Sequence, residues 1–259
     1  TVVVVPEPTP APAPEPAAPE FNFIPTVSLA EGGEAITKGN AWEIFRANAD
    51  GSRGEGIATE YEAYKGNLEP GNYVVEARVS EARIEQPVVI EPGKVTEQHF
   101  VLNAGTLKIR PKATAGSEPD AGAAVHFIYP GGDWVTYGPT TVVVPAGEQT
   151  VKVNLGEAEV SETFALKAGE VIEKDIVAGV GVVKVNAFYA PGMKVEADGI
   201  AVNIFEAKKD INGKRKDVAY TFGPDKQFSL PPGDYVVVFK QEGAEAEAPF
   251  TIKTGDSIS

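Results

Sequence analysis

The chain contains no cysteine, which removes disulfides, thiolate metal sites and cysteine nucleophiles from consideration while leaving the compartment open. Histidine is almost as scarce: the two present, His99 and His126, fall in expected strands of different repeats. There is no Gly-x-Ser-x-Gly elbow and no His-Glu-x-x-His pair, so the residues offer no nucleophile–base or metal-hydrolase constellation and the chain is read as non-enzymatic, without a cofactor. Positive charge is in short supply, with 23 Lys and Arg against 37 Asp and Glu and a formal net charge of −14. Such a field repels phosphate backbones and argues against nucleic acid as a partner. No stretch approaches the roughly 18 apolar residues that a bilayer-crossing helix needs, so no direct membrane insertion is expected of these residues. Helical periodicity over ten or more residues is missing as well. Spread over turns and outward positions, the carboxylates read as a solvated acidic surface rather than as a paired-acid glycosidase site.

At 42% hydrophobic and 23% charged, the composition is nevertheless that of a chain that builds cores. The exception is the N-terminus, where Thr1-Val2-Val3-Val4-Val5 runs into seven prolines between Pro6 and Pro19. Proline withholds backbone donors and favours polyproline II, so Pro6 to Glu20 reads as a semi-rigid tether of about 45 Å. The valines before it are read either as the end of an export signal or membrane anchor, or as a frayed strand.

Beyond the tether the sequence repeats. Leu68-Glu69-Pro70-Gly71-Asn72-Tyr73-Val74-Val75 corresponds to Val144-Pro145-Ala146-Gly147-Glu148-Gln149-Thr150-Val151, and again to Leu230-Pro231-Pro232-Gly233-Asp234-Tyr235-Val236-Val237. A second glycine follows each turn glycine by 22 residues, at Gly93, Gly169 and Gly255, so both landmarks advance together by 76 and then by 86 residues. Apolar positions between them coincide too: Val75, Val151 and Val237; Ile84, Val160 and Ala246; Val88, Phe164 and Phe250; Ile90, Leu166 and Ile252. Three copies of one unit are present.

Within each copy the periodicity is two. Tyr73, Val75, Ala77 and Val79 alternate with Val74, Glu76 and Arg78, the signature of a half-buried strand. Each copy also has an upstream strand opening on alanine, at Ala41, Ala124 and Ala201. A loop follows that carries Asp50-Gly51, Pro130-Gly131-Gly132 or Asn212-Gly213, all dipeptide contexts of tight turns. The reading is all-β: three tandem Ig-like antiparallel β-sandwiches after a Pro/Ala/Glu-rich linker. Boundaries are expected at 1–20 for the linker and at 21–104, 105–180 and 181–259 for the sandwiches. By the alignment Ser259 matches Glu97, so most of the last strand of the third copy is expected to be missing, with an open edge that invites strand addition. Near-absent linkers predict a stiff rod.

The Leu-x-Pro-Gly-x-Tyr-x-Val strand, followed by a strand and a Gly-Lys or Gly-Glu turn, resembles the carboxypeptidase regulatory-like, transthyretin-type sandwich family, with its PEGA and Cna-B-like relatives. More narrowly, Trp42-Glu43-Ile44-Phe45 followed by Ala49 to Glu55 is similar to repeats that follow von Willebrand factor A domains in exported bacterial proteins. That resemblance covers residues 21–259. It implies a periplasmic, cell-surface or extracellular protein whose sandwiches space or present something else, through protein partners or self-association. It also raises a Lys–Asn isopeptide, as in some Cna-B members. Lys108 and Lys184 lie in first strands but are expected to face outward, which argues against that bond.

Two candidate sites stand out. Tyr129, Trp134 and Tyr137 surround the Pro-Gly-Gly-Asp loop of the second copy, a setting in which carbohydrate modules stack sugar rings; packing into the core is the alternative. Lys208, Lys209, Lys214, Arg215 and Lys216 form a basic group on an acidic protein, suited to an acidic glycan, headgroup or domain, or else a solvated hairpin tip. Asn48 to Ser52 faintly resembles a calcium loop but lacks its later bidentate acid, and a hairpin turn is expected there. The function expected is a structural or interaction module, a stalk or scaffold that self-assembles in one version. The alternative is a carbohydrate-binding array.

Overall fold

A computed structural model describes residues 19–196 and 199–259. The expected linker over 1–20 lies outside the described residues as far as residue 18. The first sandwich comprises β1 (Phe23–Ser28), β2 (Asn40–Ala47), β3 (Arg53–Tyr61), β4 (Gly71–Val79), β5 (Ala82–Ile90) and β6 (Thr96–Val101). The second comprises β7 (Ala104–Lys112), β8 (Ala124–Tyr129), β9 (Gly132–Tyr137), β10 (Thr140–Pro145), β11 (Gly147–Leu155), β12 (Ala158–Leu166) and β13 (Val171–Val177). The third comprises β14 (Gly181–Asn186), a short hairpin of β15 (Phe188–Ala190) and β16 (Met193–Lys194), then β17 (Ala201–Lys209) and β18 (Arg215–Phe222). It is completed by β19 (Asp225–Leu230), β20 (Gly233–Gln241), β21 (Ala244–Ile252) and β22 (Ser257–Ile258).

Each sandwich pairs a four-stranded sheet with a smaller one. The large sheets run β3-β2-β4-β5, β12-β11-β8-β9 and β18-β17-β20-β21; the small ones run β1-β6, β10-β7-β13 and β19-β14-β22. The fold is all-β and built of Ig-like sandwiches. One feature departs from a plain antiparallel meander: the first and last strands of every sandwich pair in parallel, β1 with β6, β7 with β13 and β14 with β22. The entering strand lies in the small sheet, and the last strand crosses from the large sheet to run beside it in the same direction. Period-two alternation decides which face of a strand is buried but not the direction of its neighbour, so this pairing was not readable from the pattern.

The landmark turn has a physical purpose. Tyr73 Oη donates to the Glu69 carbonyl (2.7 Å), Gln149 Nε2 to the Pro145 carbonyl (2.9 Å) and Tyr235 Oη to the Pro231 carbonyl (2.9 Å). All three side chains are buried, and each ties its strand back across the proline-glycine turn that starts it. Tyr73→Phe and Tyr235→Phe each keep the ring and lose one buried hydrogen bond, so each lowers unfolding free energy by about 1 kcal/mol in urea titrations. An unchanged midpoint in both would show that the tie contributes nothing. The second landmark glycines adopt φ values of +69°, +75° and +80° at Gly93, Gly169 and Gly255, a left-handed conformation that L side chains reach only with strain.

The chain packs as two compact units. One holds the described residues to Ser28 with Glu34–Arg78 and Ile84–Val101; the other holds Leu29–Gly33, Val79–Arg83 and Leu102–Ser259. In the first, Trp42 and Phe100 are fully buried and meet edge to face with centroids 5.4 Å apart. The outward face of β4 is not solvated as its alternation suggested. Glu76 is only 4% exposed because Arg53, from the start of β3, lies over the Phe45 ring (4.6 Å) and pairs with the Glu76 carboxylate. In the second unit, Leu107, Ile109, Phe127, Val151 and Ile176 form the core of the second sandwich, and Val183, Ile204, Leu230 and Ile252 that of the third.

Candidate interaction surfaces

On β9 the aromatic group splits. Trp134 is half-buried and stacks on the core residue Phe127, with ring centroids 5.7 Å apart. Tyr137, three positions further along the same strand, is 69% exposed. Residues an odd number apart on a strand face opposite ways, so the two rings stand on opposite faces of their sheet. Tyr129, at the end of β8, is half-buried and donates from Oη to the Glu81 carboxylate (3.2 Å) within the second unit. Burial and that neighbouring carboxylate both raise the Tyr129 phenol above its ordinary value, burial more strongly. The three aromatics therefore do not share one surface.

The basic group does come together, at the β17–β18 hairpin. Its five cations and the carboxylates of Glu206, Asp210 and Asp217 line a shallow hollow of about 450 Å³. Lys216 Nζ sits 2.8 Å from Glu206 and Arg215 Nη1 sits 3.0 Å from Glu247. Arg215 has a counterpart in the first sandwich: Arg53 likewise opens the strand after the hairpin and meets Glu85 at 2.6 Å, and Glu85 and Glu247 occupy equivalent positions. Arg215 thus has a structural partner within its own sheet. Asp210 Oδ1 accepts from the backbone amides of Asn212 and Lys214, both at 2.8 Å, which organises the tip. Asp50 does the same work in the first sandwich, accepting from the Ser52 hydroxyl (2.6 Å) and amide (3.0 Å). Those two bonds hold its carboxyl below the ordinary value, and the Asn48–Ser52 stretch is a hairpin turn with Gly51 at φ +83°.

Sequence reasoning passed over an ion-pair ladder across the parallel pair β7–β13. Lys108 Nζ lies 2.7 Å from Glu173, Arg110 Nε 2.5 Å from Asp175 and Lys112 Nζ 2.7 Å from Asp175. Alternate residues of neighbouring strands share a face, so acids on one and bases on the other interleave; the signal was the Lys-x-Arg-x-Lys spacing set against Glu-x-Asp. Lys108 therefore faces outward, bonded to a carboxylate. Lys108 holds the Glu173 carboxyl below its ordinary value, and Lys112, then Arg110, do so for Asp175. A carboxyl depressed in the fold stabilises above its unfolded pKa and loses that contribution as pH falls through the lower folded value. The second unit therefore loses stability as pH drops below the ordinary carboxylate range. A Glu173→Gln, Asp175→Asn double variant shows a shallower loss in thermal melts from pH 5 to 2. Parallel curves for variant and parent would refute the linkage.

Both histidines are strand residues with local partners. His99 meets the hydroxyls of Thr26 (2.8 Å) and Ser28 (3.0 Å), and His126 meets Asp133 (3.0 Å). Among the described residues no group of three or more His, Asp or Glu could hold a metal ion. No helix there is long and apolar enough to cross a membrane.

One join recurs inside the second unit. The Glu157 amide, in the β11–β12 turn of the second sandwich, donates to the Ser229 carbonyl on β19 of the third (3.0 Å). At positions shifted by 76 and 86 residues, the Glu81 amide donates to the Val143 carbonyl on β10 (3.1 Å).

These features define a chain of Ig-like β-sandwiches in tandem. No protein-family model matches it, and no curated protein matches it. Among solved structures it is similar to the Bacillus anthracis TIE protein, at 19% identity and a TM-score of 0.27 over 92% of this chain and 49% of that one. The chain thus spans about half the length of that protein. It is also similar to a Streptococcal ancillary pilin (9% identity, 92% of this chain and 97% of that one, TM-score 0.31). A third is the major pilin subunit of Bacillus cereus (14% identity, 91% and 97%, TM-score 0.21). Likeness at this level adds nothing to the strand pairing described above.

Proposed function

We propose that this chain is a non-catalytic structural module, a stalk or scaffold of tandem sandwiches at the bacterial envelope or outside the cell, acting through protein partners or self-association. The observation that carries the reading is the join between the second and third sandwiches. They pack as one unit, with three residues between β13 and β14 and a backbone hydrogen bond from Glu157 to Ser229. A short connection stitched from turn to strand limits rotation, which suits a spacer better than a set of independent binding beads. The sequence resemblance to exported bacterial repeats supports the location. Small-angle scattering of residues 21–259 tests the reading: an elongated particle with a single stable conformation supports it, and a compact or widely varying one overturns it.

Glycan binding is the second reading, favoured by the exposure of Tyr137. It requires that Tyr137→Ala abolish a binding signal on a glycan array, and the absence of any signal from the parent chain removes it.

A further inference from the structure

The β17–β18 hairpin of the third sandwich ends in a tight turn over residues 210–214, and the first sandwich builds the same turn over 48–52. In both, the glycine amide donates back to the residue that opens the turn, Gly213 to the Asp210 carbonyl (3.0 Å) and Gly51 to the Asn48 carbonyl (2.9 Å). In both, the opening amide donates to the residue that closes it, Asp210 to the Lys214 carbonyl (2.7 Å) and Asn48 to the Ser52 carbonyl (2.9 Å). The glycines are left-handed, at φ +78° and +83°. On that shared framework the two loops present different side chains. The first carries Ala47, Ala49 and Ser52 where the third carries Lys209, Ile211 and Lys214. The ladder agrees with this alignment, since Ala47 pairs with Arg53 as Lys209 pairs with Arg215. The turn therefore forms without an isoleucine or a lysine, and folding gives no account of either. Ile211, at the apex, is 100% exposed, more than any other large apolar residue among those described.

We infer that this tip docks on an anionic lipid surface without crossing it, Ile211 entering the headgroup layer while the lysines around it meet lipid phosphates. Between positions 206 and 217 five cations stand against three carboxylates, so the tip is net positive on an acidic chain. Lys208, Lys209 and Lys214 are exposed, and among the described residues no carboxylate lies within pairing distance of them, whereas Arg215 and Lys216 are held by Glu247 and Glu206. Free cations attract any polyanion, so charge alone does not distinguish a membrane from an acidic polymer. The apex does. A solvated polyanion leaves Ile211 in water, while a lipid interface takes the ammonium groups at the level of its phosphates and the aliphatic side chain at the acyl boundary just below. Asp210 does not oppose this, because its Oδ1 already accepts from the Asn212 and Lys214 amides, both at 2.8 Å. Those bonds also fix the tip in advance, so little order is lost on docking. The net charge of −14 does not forbid the contact either, since carboxylates more than about 8 Å from the surface are screened at physiological salt. The inference needs the hairpin and not the rod, and goes beyond the stalk reading.

The test is co-sedimentation of the full chain with phosphatidylcholine vesicles that contain or lack phosphatidylglycerol. The parent binds the anionic vesicles, leaves the neutral ones in solution, and releases as salt rises. Ile211→Ala installs the residue that the first sandwich uses at the same place, so the turn still forms, and binding weakens about tenfold as apolar area is withdrawn. Changing Lys208, Lys209 and Lys214 together to Gln weakens it about a hundredfold, at roughly fivefold for each cation near an anionic surface. Ile211→Trp reports the depth of entry. Its emission moves to the blue on anionic vesicles and is quenched by lipids brominated along the acyl chain, whereas Trp42 and Trp134, packed on Phe100 and Phe127, do not respond. A parent that ignores anionic vesicles overturns the assignment, and so does one that binds neutral vesicles equally well. If Ile211→Ala binds as tightly as the parent, the lysines act alone, the site is one for soluble polyanions such as heparin, and the lipid assignment fails. Scattering judges the stalk separately, so either reading can fall without the other.

Discussion

Phe100→Ala lowers the unfolding free energy of the first unit by about 3–5 kcal/mol, because the ring is fully buried and its loss leaves a cavity that neighbours cannot fill. The partner most affected is Trp42, whose ring packs edge to face on it. The two tryptophans of the chain, Trp42 and Trp134, fall one in each unit, so emission separates the two transitions. Chemical denaturation of the variant moves the Trp42 change to lower denaturant and leaves the Trp134 change in place. If both shift together, the two units unfold as one cooperative body and the division described above has no thermodynamic meaning.

Arg53→Ala also destabilises the first unit, by about 2–4 kcal/mol, since it strands the Glu76 carboxylate without its cation. The figure sits toward the lower side of what fully buried pairs give, because Arg53 itself remains about one-third exposed. Removing the acid instead has the opposite character. In the third sandwich Val238 stands where the first has Glu76, and Arg215 still pairs with its own carboxylate, Glu247. Glu76→Val is therefore neutral or stabilising, as the burial cost of the charge disappears and Arg53 keeps Glu85. Urea midpoints for the two variants discriminate: equal losses would mean that the pair is a net source of stability rather than a buried charge and its remedy.

Much of this architecture was legible in residues. The glycine landmarks located three sandwiches because a turn glycine and a left-handed glycine flank the same two strands each time, and the left-handed conformation at Gly93, Gly169 and Gly255 restricts the side chain. The placement of Trp134 and Tyr137 on opposite faces was also available, since three positions along a strand reverse direction. What the pattern could not reveal depended on residues distant in the chain. Glu76 looked outward and was, but Arg53 reaches it from 23 positions away and closes over it. The parallel pairing of end strands depends on how the chain crosses between sheets, which no local signal encodes. The β15–β16 hairpin of the third sandwich has no counterpart in the other two, so the repeat alignment did not single it out.

The parallel end strands have a mechanical consequence. A chain pulled from both ends enters the second sandwich at the start of β7 and leaves at the end of β13, so tension is applied along the ladder and loads its seven registered pairs together in shear. Strands loaded in this way resist far better than a hairpin, whose bonds open one after another.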